Sequence, residues 1–582
     1  MLLNFFIFVI KSTYSLQAMK HIFAIVVLYI IVSSCQKEEP KSAAKDLLTF
    51  SFKQANNAID TDAEGVIIGK EIKISLPSSV ALNNLKATFT SSPLATVTVN
   101  GKNQISGTTA NDFTNPVTYK VKAEDGSMSE YTVTVSKVPS AEKQLTGFFV
   151  NFKTFSGAPT ISKAKASGNN YTIFMPPHIN PKSVKVIFTT SLKTSVSLNN
   201  KPLVSNDSID LSAPITLTVI AEDKSTQNYT ITPKSVDQEV DNLVNAFVKK
   251  YDITGLTFAI SNQEKLMYAK GYGYADKANN TPVTPYSLFR IASVSKPITA
   301  IAVMKLIEDG KLSLDDKVFG DNGILGNKYG GKPYRNGYEN ITVKHLLEHT
   351  AGVATNDGND PMFSAFNLTQ DQIIENAVKN RNLYATPGTK YYYSNLGYCM
   401  LGRIIEKVSG MTYEQYLQKA IFEPTGTDNI QLTGNTIANR KENEVVYYSQ
   451  TNSPYAYNVA RMDSHGGLIA SSIDLLKLIS HVDGFNTKPD ILKPETIATM
   501  TKYNAANGYA LGWSVNQANY WWHTGLLIGT SSELVRSPSG FSWAIIANYG
   551  ELNSNDQYVT DLDNLGWNII SAIKDWPEYD LF

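Results

Sequence analysis

The 582-residue chain is too long for one hydrophobic core, and about three or four domains is the natural expectation. Its 52 basic and 52 acidic residues cancel, which excludes the strongly charged field that draws a protein onto nucleic acid. Only Cys35 and Cys399 are present, far apart in sequence, so no disulfide framework is expected.

The chain opens with a targeting pattern. From Met19, the stretch "MKHIFAIVVLYIIVSSCQKEEP" has a basic pair, an apolar run and two serines before Cys35. The run is roughly half the length of a membrane span. It resembles a bacterial lipoprotein signal, which implies a signal over residues 1–35, a start at Met19, and lipidation at Cys35. An uncleaved anchor helix is the alternative, because "MLLNFFIFVI" adds a second apolar run upstream. The acidic pair after Cys35 looks like the export tag of surface-exposed lipoproteins. The expected location is the bacterial cell envelope, with the protein anchored by lipid to the outer membrane.

After a linker over 36–45, two segments repeat one pattern, 46–138 and 141–235. "NPVTYKVKAEDGSMSEYTVTVSK" matches "APITLTVIAEDKSTQNYTITPK", with Ala123 and Tyr131 recurring 98 residues on as Ala221 and Tyr229. Val117, Tyr119 and Val121 alternate with polar residues, as do Ile215, Leu217 and Val219. Turn clusters "EDGS" and "EDKS" close these runs, so each copy reads as an all-β, immunoglobulin-like sandwich. Neither copy gathers acids, histidines or cysteines into a site. Both read as a stalk, with carbohydrate binding the lesser alternative.

Residues 236–582 read as one α+β domain, an antiparallel sheet with helices. Val240, Val244, Phe247 and Tyr251 share one helical face. "GLTFAISNQEKLMYAKGYGYAD" is a hairpin turning near Asn262-Gln263, and "SSELVRSPSGFSWAIIANYG" is another turning at Pro538-Ser539-Gly540.

The chemistry centres on "FRIASVSKPITAIAVMKLIEDGK". The Ser-x-x-Lys spacing of Ser293 and Lys296 recurs at Ser42/Lys45, Ser140/Lys143 and Ser162/Lys165, so spacing alone carries little. Context separates them. Ile298, Ile301, Ala302 and Leu306 predict a helix that ends near Gly310, and Pro297 is tolerated only in a first turn. Ser293 therefore falls at the positive end of a helix, where an alkoxide is stabilised and an amine one turn on can take its proton. Downstream, Tyr393-Ser394-Asn395 precedes a second amphipathic helix, and His523-Thr524-Gly525 precedes the last hairpin.

In this order, "FRIASVSKPITA", "LLEHTAG", "PGTKYYYSN", "HGGLIAS", "YALGWSV" and "WWHTG" resemble the class C β-lactamase-like and penicillin-binding-protein-like serine hydrolases. That family includes D-alanyl-D-alanine carboxypeptidases, D-aminopeptidases and esterases. The resemblance spans Val240 to Ile570 and does not reach the repeats. It implies that Ser293 is acylated, that Lys296 accepts its proton, and that Tyr393, able to form a phenolate, protonates the leaving group. It further implies that Asn395, His523, Thr524 and Gly525 bind substrate, with the backbone N–H groups of Ser293 and Leu526 holding the oxyanion. The third motif begins with His523 where β-lactamases commonly have lysine. A mostly neutral imidazole anchors a carboxylate weakly, which favours an esterase or D-amino-acid peptidase over a β-lactamase or D-alanyl-D-alanine carboxypeptidase.

Each motif alone has a plainer reading: Ser293 as a helix cap, Tyr393 as core, His523 as a packed strand residue. Three ordered motifs together outweigh these. "HLLEH", His345 to His349, also fits an inverted zinc-peptidase signature, with two histidines at i and i+4 of a helix, but no further His/Glu cluster completes it, and the resemblance makes "LLEHTAG" a structural helix end and turn. A catalytically weak surface-binding protein is the remaining alternative. The expected partner is a small-molecule, peptide or ester substrate. No metal or organic cofactor is expected, Cys399 is expected to be a buried apolar residue, and oligomeric state is not legible.

Overall fold

The computed structural model describes residues 40–353, 360–364, 367–551 and 556–582. The expected signal over residues 1–35, with Cys35, lies outside the described residues. The chain divides into two compact units, one holding the first repeat with Leu192–Thr194 and Ala221–Ser225, the other the rest of the second repeat with everything C-terminal to it.

The first repeat pairs a four-stranded sheet, whose longest members are Leu47–Phe52 and Leu85–Ser91, with a six-stranded one. In the larger sheet Glu71–Pro77 runs parallel to Met128–Val138, which is antiparallel to Val117–Lys122. Val117, Tyr119 and Val121 face inward, as their alternation predicts. Phe50 and Phe52 sit in a core with Phe113 and Tyr119, the Phe50 and Tyr119 rings edge-to-face at 5.0 Å. The second repeat has sheets of the same size and strand order. Phe148 and Tyr229 are buried where Phe50 and Tyr131 are in the first.

The C-terminal domain begins with α1 (Asp237–Lys250), followed by β1 (Gly255–Asn262) and β2 (Lys265–Asp276). The turn between the strands has Gln263 and Glu264 both left-handed, as a tight hairpin requires. Next come β3 (Thr281–Pro282), α2 (Ser295–Glu308), α3 (Asn395–Ser409) and α4 (Ser472–Ile479). The chain then returns as β4 (Ser514–Val515), β5 (Trp521–Leu527), β6 (Thr530–Arg536) and β7 (Phe541–Ala547), and closes with α5 (Asp556–Ala572). These strands form one antiparallel sheet in the order β3-β2-β1-β7-β6-β5-β4, so the two sequence-predicted hairpins meet at its centre.

Both faces of the sheet are covered. On one, α4 packs on β1 and β7, with the Thr257 and Ser472 hydroxyls 2.8 Å apart. On the other, α5 crosses β7, where a Cβ on Gly566 would stand 2.2 Å from Trp543 Nε1. Helix α2 lies against α3 and is buried along nearly all its length, so it is apolar around its circumference rather than on one stripe. The last residues tie the second repeat to this domain. Leu581 donates its N–H to Leu266 O at 2.9 Å, and its carbonyl accepts Phe155 N–H at 3.0 Å.

Gly566→Ala is expected to destabilise the C-terminal domain by about 1–3 kcal/mol through overpacking against Trp543, read as a lowered Tm.

Candidate active site

Ser293 sits in a 3-10 turn, Ala292–Val294, that leads directly into α2. Ala292 is left-handed at φ +46°, a strained conformation for an alanine, and it turns the chain sharply before the serine. One turn on, Lys296 is fully buried. Its Nζ contacts three oxygens: Ser293 Oγ at 3.0 Å, Asn395 Oδ1 at 2.8 Å and the His465 carbonyl at 2.8 Å. Burial pushes the amine well below its ordinary value, opposed by the nearby Asp360 charge. Lys296 Nζ also stands 4.8 Å from the centre of the Tyr393 ring.

Tyr393, Ser394 and Asn395 are placed by the start of α3. Ser394 caps the helix by accepting the Gly397 N–H at 3.0 Å, which leaves Tyr393 just outside it and Asn395 as its first residue. Ser293 acts on the Tyr393 hydroxyl, favouring its ionised form against the effect of burial. Burial holds the phenol well above its ordinary value, so the phenolate implied by the family resemblance is disfavoured, and Tyr393 is a proton donor here.

Sequence reasoning missed Asp360. Its Oδ2 accepts the Asn395 backbone N–H at 3.3 Å and Nδ2 at 3.1 Å, while Oδ1 accepts Met362 N–H at 2.9 Å. This fixes the Asn395 amide with Oδ1 toward Lys296 and leaves one Nδ2 proton for a substrate carbonyl. Burial raises the Asp360 carboxyl above its ordinary value, against the pull of these donors. The sequence offered no spacing signal for this residue, because it reaches α3 from a distant loop.

The His465 carbonyl is held from below. Arg403 Nη2 donates to Asp463 Oδ2 at 2.5 Å, Asp463 Oδ1 accepts Ser464 N–H at 2.6 Å, and Thr299 Oγ1 donates to Ser464 O at 2.7 Å. The glycine at 402 leaves room for Ser464, whose Oγ would be 2.5 Å from an added Cβ.

His523 and Gly525 lie on the face of β5 turned toward Ser293. His523 Nε2 meets Tyr509 Oη at 3.0 Å and Nδ1 meets Thr524 O at 2.7 Å. Burial and then the Lys296 charge lower its pKa to about 3, so the imidazole is neutral. A Cβ on Gly525 would stand 2.4 Å from Ile291 O and 2.9 Å from Ser293 N, so only glycine lets β5, and Leu526 with it, approach the serine backbone this closely. Thr524 departs from the expected pocket. Strand residues alternate, and the Thr524 side chain stands on the opposite face with Trp522, toward α5.

The zinc-peptidase pattern does not form. The helix carrying His345 ends at Leu347, and His349 is left-handed at φ +59°, so the two histidines do not share a helical face. His345 Nδ1 accepts Thr342 N–H at 3.2 Å, and His349 Nδ1 accepts Ser394 N–H at 3.0 Å. The His349 ring lies 4.3 Å from the Tyr393 ring and steadies it. Cys399 is buried in α3.

The β-lactamase family pattern matches residues 240–566, and a second, described as SGBP, N-terminal, matches residues 47–135. The chain belongs to the β-lactamase family. It is 26% identical over 338 residues to Protein flp of Staphylococcus aureus (strain MRSA252), covering 56% of this chain and 64% of that protein. It is 28% identical over 250 residues to Penicillin-binding protein 4* of Bacillus subtilis (strain 168), covering 42% of this chain and 51% of that protein. The chain thus spans from about half to just under two thirds of the length of these curated relatives. Among solved structures, the D-amino acid amidase from Ochrobactrum anthropi SV3 with L-phenylalanine amide is similar at 22% identity and a TM-score of 0.49, covering 58% of this chain and 98% of that one.

Gly525→Ala is expected to slow labelling of Ser293 by a fluorophosphonate about a hundredfold, the cost of losing one oxyanion donor, without unfolding the domain.

Proposed function

We propose that the protein is a serine hydrolase that cleaves an ester or amide through an acyl-enzyme on Ser293, the esterase or D-amino-acid peptidase type. The observation that carries this reading is the contact of a fully buried lysine amine with the serine hydroxyl, 3.0 Å from Nζ to Oγ. In its neutral form Lys296 is the base. Ser293 Oγ attacks the substrate carbonyl carbon as its proton passes to Lys296 Nζ. The Tyr393 phenol gives its proton to the leaving group and is refilled from Lys296. Water then attacks the acyl carbonyl, giving its proton to Lys296, which passes it to Ser293 Oγ as the bond from Oγ to the acyl carbon breaks. The oxyanion formed in each half is held by the backbone N–H groups of Ser293 and Leu526.

The substrate preference follows from charge. A lactam or peptide terminus brings a carboxylate, and no fixed positive charge stands at His523 to receive it, the imidazole being held neutral by burial. The Asp360 carboxyl bonded to Asn395 adds a group unfavourable to anions. Esters and aminoacyl amides that lack a free carboxylate fit better than penicillins. Display of this domain on two β-sandwich modules, lipid-anchored at Cys35 in the bacterial envelope, is part of the same proposal and is supported by the sequence pattern ahead of Cys35.

The test is intact-mass analysis after exposure to a fluorophosphonate, with a hydrolysis panel of short-chain esters, D-aminoacyl amides, D-Ala-D-Ala peptides and nitrocefin. One adduct on the wild type and none on Ser293→Ala is expected, with esters or D-aminoacyl amides turned over faster than nitrocefin. An adduct that persists in Ser293→Ala would refute the assignment.

The pH dependence has a definite sign. The reactive form of Lys296 is unprotonated, so kcat/KM should rise with pH through one ionisation and level off well below 10.5, the ordinary lysine value. Lys296→Arg, which cannot lose its proton, should abolish the labelling across the whole range.

A further inference from the structure

The face of β5 turned away from Ser293 opens on a second cleft of about 580 Å³ between β5 and α5. Trp522 and Thr524 line it from the strand, Tyr520 from the turn before it, and Asp563 and Trp567 from the helix. The rings are held in place. Trp567 is edge-to-face with Tyr520 at 5.2 Å and with Trp543 at 4.6 Å.

Glu533 lies beneath, opposite Thr524 on β6, and is wholly buried. Its Oε2 accepts the Trp543 indole N–H at 3.2 Å, Oε1 has no hydrogen-bond partner, and the Asp563 carboxyl acts on the group from nearby. Burial, with the Asp563 carboxyl nearby, drives the Glu533 carboxyl well above its ordinary value, so Glu533 is held protonated. Asp563 is the one acidic residue among the described residues that line the cleft. No Lys, Arg or His is among its described lining residues.

An anion has no partner in such a place. Aromatic faces around one carboxylate suit a cation whose charge is spread over an apolar surface. We propose that this cleft is a binding site for a small organic ammonium ion, separate from the Ser293 site and sharing only strand β5 with it. The indole and phenol faces take the alkyl groups on nitrogen, Asp563 supplies the counter-charge, and Thr524 offers a hydroxyl to a polar tail. The residue that the sequence assigned to the hydrolytic pocket thus has its side chain in this second one.

The experiment is a tryptophan-fluorescence titration of the full chain with choline and with 3,3-dimethylbutan-1-ol, which has the same shape without the charge. Choline should give a saturable change and bind at least about tenfold more tightly than the neutral alcohol. The change should survive when Ser293 is blocked by a fluorophosphonate. In Asp563→Asn it should weaken by about the same factor as removing the ligand's charge. Equal binding of the two probes, retention in Asp563→Asn, loss on blocking Ser293, or no saturable change would each overturn the proposal. The comparison of the two probes uses only the wild-type chain, so it holds even if the variant folds poorly.

Discussion

The C-terminal domain is organised around a lysine amine that has been taken out of water. An ammonium in that position is costly, and each pKa unit of displacement corresponds to about 1.4 kcal/mol. The surroundings of Lys296 limit the cost by supplying oxygen acceptors, the hydroxyl of Ser293, the amide oxygen of Asn395 and the carbonyl of His465. They stop short of a salt bridge that would lock the charge in place. The result is a buried amine in hydrogen-bond contact with the serine beside it, the arrangement that the proposed hydrolysis needs.

Much of the surrounding structure reads as support for those three contacts. Asp360 sets which way the Asn395 amide faces, and Ser394 starts the helix that presents it. The Arg403–Asp463 pair, Thr299 and the glycine at 402 hold the loop bearing the His465 carbonyl. At the sheet edge, Gly525 lets β5 reach the backbone of Ser293. A buried polar network of this kind is useful only when every member is satisfied, and here the members come from elements far apart in the chain.

That distance explains what was and was not legible in the sequence. Ser293 and Lys296 were readable because one helix turn joins them, and Tyr393 and Asn395 because a helix cap lies between them. The two hairpins announced themselves by alternation and turn residues, and the sandwich modules by their own repetition. Asp360, Arg403 and Asp463 were not readable, since each acts on a partner brought near only by tertiary folding. Zinc at His345 and His349 fitted on spacing alone, whereas the resemblance made "LLEHTAG" a helix end, and the helix does end between the two histidines. Thr524 is a different case. It stands between His523 and Gly525 in a strand, so period-two alternation already placed its side chain on the other face. The family motif, which treats three consecutive residues as one unit, hid that geometry.

The ionisation of Lys296 itself tests the account most directly. In the full chain with lysine labelled at Cε, the Lys296 resonance, assigned by its loss in Lys296→Arg, can be followed against pH by NMR. The account predicts a neutral amine over a range where ordinary lysines are still charged, with the titration lying well below 10.5. A resonance that stays that of an ammonium ion up to the ordinary lysine value would contradict it.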